Sequence, residues 1–197
     1  MKYYRFLLLH IFIFSSLFAN DNFIISDSNN VESTISFNIG DLSFSQEGEY
    51  HKINSNSKVM LDNIGEPELP TYGFNFAVNK NKEYEVSFKV NSFEVYENIN
   101  IKPYQDVVDK NALVKNNNLY NSSNKYPEQN LLSSRKSIRG NDLYGVQLIP
   151  FEYDFSSQTL KVFTSVDIVI TESGTRNNSS DTPRSRVFEK IYSDFVI

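Results

Sequence analysis

Apolar and polar residues alternate with a period of two through most of this chain. In residues 83–90, tyrosine, valine and phenylalanine occupy the even positions, and glutamate, serine and lysine the odd ones. A longer run follows the same rule over residues 160–170, where the even positions carry leucine, valine, threonine or isoleucine. Because successive side chains of a strand point to opposite faces, both segments are predicted to be half-buried β-strands.

Shorter alternating runs predict further strands. They occupy residues 34–39, 42–44, 49–53, 58–61, 74–78, 93–96, 143–149 and 151–155. Turn-forming sequences such as Gly40-Asp41 separate them, and no amphipathic helix of normal length lies between them. Many short strands without a helical period predict an antiparallel β-sandwich, so the fold class is all-β.

The N-terminus has the organisation of a signal peptide. Lys2 and Arg5 form a basic start, residues 7–14 an apolar stretch, and small residues lead to Ala19. This order predicts a signal peptide over residues 1–19, cleaved after Ala19. The apolar stretch is too short to cross a bilayer about 30 Å thick, and no later segment is long enough. The protein is therefore expected to be exported, to the medium or to a bacterial cell surface or periplasm.

The remaining sequence divides by composition. Residues 20–33 form a polar lead, residues 34–171 the sandwich, and residues 172–186 a linker rich in Ser, Asn and Thr. Residues 187–197 end in an apolar run and read as the start of a missing or truncated following domain. Within the sandwich, residues 110–140 carry little strand signal and are predicted to form one long loop, which in a compact domain is usually functional or disordered.

Charge distinguishes this long loop from the rest of the chain. Loss of the signal peptide changes the net charge from −5 to −7, which argues against a general nucleic-acid binder. Residues 110–140 nevertheless contain six basic residues and only one acid, Glu128, for a local charge of +5. An acidic domain is thus expected to present one basic loop.

The residue inventory excludes most catalytic chemistry. Without cysteine there is no disulfide, no thiolate nucleophile and no thiolate metal site. His51 is the sole histidine after the signal peptide, and no nucleophile motif lies near it. We therefore predict no metal, no cofactor and no enzyme activity of the chain itself. A carboxylate hydrolase stays open as a minor alternative, because acid pairs cannot be recognised from spacing alone.

The clearest local motif is Gly65-Glu66-Pro67-Glu68-Leu69-Pro70. Two prolines fix φ and remove two backbone donors, so the segment is extended and cannot be an interior strand. Gly65 permits the turn that enters the segment, and the Leu69 side chain is predicted to be buried in the core.

The motif and its setting resemble the pro-domain of gingipain-type cysteine peptidases. The resemblance covers about residues 33–197. It depends first on Gly65, Pro67, Leu69 and Pro70. Further matching features are Tyr126-Pro127, Val146-x-Leu148-x-Pro150, the strand of residues 160–170 and Val187-Phe188.

This resemblance implies a function and a partner. The chain would be the β-sandwich pro-domain of a secreted endopeptidase, keeping the protease latent by blocking its active-site cleft and assisting its folding. The partner would be the cysteine protease catalytic domain, in cis or as a separate chain. The alternative is a carbohydrate- or protein-binding module of a bacterial cell-surface protein.

Basic residues supply candidate sites for that function. Gingipain-type enzymes cleave after Arg or Lys, as the resemblance implies, so a basic side chain of the loop is expected to enter the specificity pocket as a pseudo-substrate. The candidates are Lys125, Arg135, Lys136 and Arg139. Exposed linkers are where proteolysis concentrates, so Arg184 and Arg186 are the candidates for processing.

Overall fold

Extended strands dominate the structure, a computed structural model that describes residues 22–28, 32–57, 59–106, 113–138 and 141–176. Within these residues the elements are β1 (Phe23–Ser28), β2 (Glu32–Asn38), β3 (Leu42–Glu47), β4 (Tyr50–Ser55), β5 (Val59–Met60), β6 (Pro70–Ala77), β7 (Lys82–Tyr96), α1 (Asn117–Tyr120), β8 (Lys125–Tyr126), β9 (Leu131–Ile138), β10 (Asn141–Leu148), β11 (Phe151–Asp154) and β12 (Thr159–Thr175). The all-β prediction is confirmed. The alternating runs of residues 83–90 and 160–170 lie in the two longest of these strands, β7 and β12.

The larger sheet is built around β12, because both edges of this strand are paired. Antiparallel β7 follows it from Leu160 opposite Tyr96 to Thr175 opposite Lys82. On the other edge lie β2 and β11, and β1 and β8 extend the sheet beyond them. The buried residues of β12 are Leu160, Val162, Phe163, Val166, Ile168 and Ile170. Their side chains supply much of the apolar surface that drives the packing of this sheet.

The smaller sheet has the order β5-β6-β10-β9 and packs against the larger one. Aromatic rings make contact across the two sheets. Phe37 of β2 lies 5.0 Å from Tyr72 of β6, and Phe23 of β1 lies 4.8 Å from Phe74 of β6. Two antiparallel sheets facing each other over such a core form a β-sandwich. The β3–β4 hairpin forms a separate two-stranded sheet.

The prediction of a loose polar lead over residues 20–33 is wrong for its described part. Residues 23–28 form β1, which pairs with β2 in antiparallel register. Asn22 Nδ2 donates to Asn38 O at 2.6 Å, and Asn38 N donates back to Asn22 O at 2.9 Å. Phe23 is buried between Phe37 and Phe74. The buried Phe23 ring and the two hydrogen bonds between Asn22 and Asn38 explain why this segment is a strand.

The prediction of a loop over residues 110–140 is also wrong for much of its described part, since β8 and β9 lie within it. At the other end, β12 runs to Thr175 and takes up the first residues of the predicted linker. The signal peptide with Ala19, the linker residues 177–186 with Arg184 and Arg186, and residues 187–197 lie outside the described residues.

Within the described ranges, no helix is long and apolar enough to cross a membrane.

Candidate functional site

The segment of residues 65–70, here called the proline crossing, joins the end of β5 to β6. Gly65 has a φ of +82°, the left-handed conformation that glycine tolerates best. Its N–H donates to Tyr104 O at 2.9 Å, and Tyr104 N donates to Glu66 O at 2.7 Å. Leu69 is fully buried in the core. The predicted turn at Gly65 and the predicted core position of Leu69 are confirmed. Both stabilise the fold at the crossing.

Glu66 connects the proline crossing to strand β8. Its Oε2 accepts hydrogen bonds from Tyr126 Oη and from Asn63 Nδ2, both at 3.0 Å. Burial and the neighbouring Glu66 carboxylate raise the pKa of the Tyr126 phenol above its ordinary value. The Tyr126–Pro127 peptide bond is cis. The crossing is therefore held from two sides, by the backbone at Tyr104 and by a side chain at Tyr126.

Lys125, a predicted pseudo-substrate residue, lies on β8 at the edge of the larger sheet. Its ammonium pairs with Glu152 Oε1 of β11 at 2.7 Å, and the side chain is 58% exposed. This hydrogen bond raises the pKa of Lys125. An exposed pair of this kind is screened by water and salt and is weak, so it leaves the lysine available to a stronger partner.

Arg135 and Lys136 belong to the basic hairpin, which is the name used here for the paired strands β9 and β10. β9 pairs with β10 in unbroken antiparallel register from Leu131 opposite Leu148 to Ile138 opposite Asn141. β9 lies at the edge of the smaller sheet, and β10 joins the hairpin to β6. Thus the hairpin presents one strand at an edge of the sandwich.

Asn130 fixes the start of this hairpin. Its Nδ2 donates to Ile149 O at 2.8 Å and to Phe151 O at 2.7 Å, and Ile149 N donates to Asn130 O at 2.8 Å. One side chain thereby ties the chain before β9 to the connection between β10 and β11. Such side-chain bonds satisfy backbone carbonyls where two strands end.

Arg135 lies on the inner side of the hairpin and is only 14% exposed. Its Nη1 donates to Asp142 Oδ2 at 2.9 Å, and its Nη2 donates to Lys82 O. The guanidinium also lies over the Tyr144 ring, at 5.3 Å from the centroid. The Arg135 side chain therefore links β9 to β10 and to the start of β7.

Lys136 points to the opposite face of β9 and is exposed. A Cβ on Gly145 would lie 3.0 Å from its Nζ and 3.2 Å from Asn75 Oδ1, so the lysine extends across the glycine of the neighbouring strand. These three residues, with Leu132, line a groove of about 700 Å³ on this face. The structure thus places one exposed cation beside an open groove at the sheet edge.

The structure brings Arg135 and Lys136 together on one strand and puts Lys125 on the edge of the other sheet. Arg139 lies outside the described residues, as do Ala19, Arg184 and Arg186. Sequence reasoning missed Asp142 and Glu83, two carboxylates that face Arg135. The sequence could have predicted Asp142 as a partner, because Arg139-Gly140 between two strands is a possible two-residue turn, which would place Asp142 near Arg135. No sequence signal connects Glu83 to the hairpin.

The exposed basic groups of β9 are suited to binding a partner protein. In the part of the chain that the structure describes, no cluster of three or more His, Asp and Glu residues is arranged to hold a metal. His51 accepts a hydrogen bond from Asn100 N at its Nδ1, at 3.1 Å, which is a structural contact. An edge strand with exposed basic side chains offers backbone groups and charge to a partner protein.

Comparison with known proteins identifies similar chains. The sequence matches the Propeptide_C25 family over residues 19–196. The complex of the pro- and mature domains of RgpB from Porphyromonas gingivalis is similar in structure, with a TM-score of 0.76 at 20% identity, covering 90% of this chain and 97% of that one. A structure of gingipain K from Porphyromonas gingivalis, concerned with its zymogenic latency, has a TM-score of 0.64 at 17% identity, covering 77% and 92%. A comparison with curated proteins finds no match.

Proposed function

The chain belongs to the Propeptide_C25 family, and from this membership we propose that it keeps a gingipain-type cysteine peptidase latent by covering its active-site cleft. The resemblance to gingipain pro-domains is confirmed. Peptidase activity belongs to the catalytic domain, and this chain has no cysteine to supply a thiolate. The observation that carries the proposal is the exposed basic side chain of Lys136 on an edge strand of a family propeptide.

Blocking acts through a basic side chain that enters the specificity pocket of the protease. A charge-assisted hydrogen-bonded pair with an acidic group there contributes about 1.5–3 kcal/mol. Attachment to the protease raises the local concentration to the order of mM, so modest intrinsic affinity is sufficient. Steric cover by the hairpin then excludes substrates from the cleft.

The contacts of the three described pseudo-substrate candidates rank them. Lys136 is exposed at the sheet edge. Lys125 is exposed but paired with Glu152 on the other sheet. Insertion of Arg135 requires breaking a largely buried ion pair with Asp142, which costs more than freeing a solvated lysine. We therefore place Lys136 before Lys125, and Arg135 last; Arg139, outside the described residues, keeps its place among the candidates on its charge alone.

Processing completes the proposal. The protein is exported as a gingipain-type precursor, with the signal peptide removed after Ala19 and release following cleavage after Arg184 or Arg186. Mass spectrometry of the precursor treated with active protease tests these sites. Cleavage at another position, with Arg184 and Arg186 intact in the products, would contradict this assignment.

The decisive experiment measures inhibition of a gingipain-type peptidase of the same source by the full chain. One variant replaces Lys125, Arg135, Lys136 and Arg139 together with alanine. A second variant carries Lys136→Ala alone, in case the quadruple variant misfolds. A matched control removes four lysines elsewhere, namely Lys52, Lys80, Lys89 and Lys161. We expect the loop variants to weaken inhibition by about tenfold or more, since each 1.4 kcal/mol is tenfold, and the control to inhibit as the wild type does.

Two outcomes would contradict the proposal. Undiminished inhibition by a folded quadruple variant would exclude the pseudo-substrate contact while leaving steric cover. Absence of inhibition by the folded wild-type chain would exclude latency, and binding of immobilised glycans would then favour a cell-surface binding module.

A further inference from the structure

The end of β12 and the basic hairpin meet at one edge of the sandwich. Thr175 pairs with Lys82, and Arg176 N donates to Asn81 O at 2.8 Å. Arg176 is the last described residue before the proposed processing linker. Its side chain reaches Asp142, the partner of Arg135 at the start of β10.

Two arginines share two carboxylates at this junction. Asp142 Oδ2 lies 2.9 Å from Arg135 Nη1 and 3.8 Å from Arg176 Nη1. Glu83 Oε2 lies 3.9 Å from Arg135 Nη2, and Glu83 Oε1 lies 3.6 Å from Arg176 Nε. Each carboxylate therefore contacts both guanidinium groups, so displacement of one arginine changes the interactions of the other.

Burial divides this cluster into an inner and an outer pair. The side chains of Arg135 and Asp142 are 14% and 10% exposed, whereas those of Arg176 and Glu83 are 41% and 44% exposed. The inner pair is shielded from solvent and has good geometry, so its attraction is strong. The outer pair is longer and solvated, so it is the part that can rearrange.

The hairpin needs such side-chain contacts because the described residues pair β9 only with β10. The outer edge of β9 has no neighbouring strand among them to restrain it. Arg135 supplies a restraint instead, through Asp142, Glu83 and its bond to Lys82 O. Charge thus fastens β9, the outer strand of the hairpin, to β7 and β12 of the other sheet, whereas β10 is held in the core by Val146 and Leu148.

We infer that Arg135 and Arg176 are positioning residues: they clamp the basic hairpin to the end of β12 and hold it in the geometry that binds the protease. This inference rests on the proposed latency function and adds the two residues that position its contact surface. It makes Arg176 part of the inhibitory apparatus although it lies outside the hairpin. The anchoring of the chain just before the processing linker is then coupled to the hairpin.

Hydrogen exchange on the full chain tests the clamp without any protease. In Arg176→Gln, amides of residues 131–148 should exchange about threefold faster, the size expected for an exposed ion pair, while those of β2 stay unchanged. Arg176→Lys, which keeps the charge, should restore most of the protection. Lys102→Gln breaks a matched ion pair with Glu47 (2.5 Å) elsewhere and should leave the hairpin unchanged. Hairpin exchange equal to wild type in Arg176→Gln would overturn the clamp.

Inhibition of the gingipain-type peptidase then tests the positioning role. Arg176→Gln should weaken inhibition about threefold, with Arg176→Lys close to wild type and Lys102→Gln unchanged. Arg135→Lys, whose single ammonium cannot reproduce the two nitrogens that donate to Asp142 and to Lys82 O, should weaken inhibition by about tenfold. If the wild type inhibits and Arg176→Gln inhibits as tightly, the positioning role is overturned. If the wild type does not inhibit, the latency proposal fails, and the exchange experiment alone decides whether the clamp exists.

Discussion

The proline crossing and the basic hairpin are fastened in opposite ways. The crossing is held by backbone hydrogen bonds to Tyr104, by a left-handed glycine and by the fully buried Leu69. The hairpin buries little of its outer strand: Leu132 is 40% exposed, and Arg135 is its main link to the other sheet. The first region is fixed by packing and backbone geometry, whereas the outer strand of the second, β9, is fixed by its pairing with β10 and by charge.

This difference suits a domain that must both fold and bind. A crossing with a buried anchor stabilises the sandwich and tolerates little change. An edge strand with few buried apolar contacts, such as β9, opens locally at lower cost and can adapt to a partner. Changes in the crossing should therefore alter the free energy of unfolding, and changes in the hairpin should alter inhibition more than stability.

The largest expected effect comes from deleting the core anchor of the crossing. Leu69→Ala should lower the free energy of unfolding by about 2–5 kcal/mol, because the side chain is fully buried and its removal leaves a cavity. Leu132→Ala makes the same deletion at a 40% exposed site of the hairpin and should cost well under half as much. Urea unfolding of both variants measures the difference. Equal costs would break the comparison, since the hairpin leucine would then be an anchor too.

The same contrast decides what the sequence could predict. Leu69, Gly65 and the long strand of residues 160–170 were recognisable because proline, glycine and period-two patterns act locally. β9 was not, because Ser133, Ser134 and Ser137 interrupt any apolar alternation and the segment is a strand through its pairing with β10. β1 was missed for a similar reason, since its exposed pattern gives no sign of its pairing with β2.

The candidate site was predictable only in part. Net charge identified the basic segment, and the positions of Lys125 and Lys136 at sheet edges agree with surfaces open to a partner. Of the groups around Arg135 only Asp142 is near in sequence; the cluster as a whole was not predictable, because Glu83 and the second arginine, Arg176, are distant in sequence. Tertiary ion pairs of this kind leave no periodic signal.

An intermediate effect is expected at the glycine of the crossing. Gly65→Ala places a side chain at a φ of +82°, which costs about 1–2 kcal/mol, and its Cβ would lie 3.1 Å from Asn116 N. Gly48→Ala provides the matched control, because Gly48 has a φ of +65° and no atom within 4 Å of the added Cβ. The difference between the two free energies of unfolding isolates the crowding at Asn116. A cost for Gly65→Ala no larger than that for Gly48→Ala would show that the crossing gives way locally.

The smallest expected effect concerns a single hydroxyl in each region. Tyr126→Phe removes the hydrogen bond to the Glu66 carboxylate at 3.0 Å and should lower the free energy of unfolding by about 1 kcal/mol. Tyr144→Phe in the hairpin removes a weaker bond to Tyr84 O at 3.4 Å and should lower it by less.

The pH dependence of stability provides a second test of the Tyr126 contact. Burial and Glu66 raise the pKa of Tyr126 in the folded chain, so its stabilisation is complete below the unfolded value of about 10 and is lost as pH rises above it. Urea unfolding from neutral pH to above about pH 10 should show a decline in the free energy of unfolding that is shallower in Tyr126→Phe than in the wild type. An identical decline in the two proteins would remove the Tyr126–Glu66 contact from the restraints on the crossing.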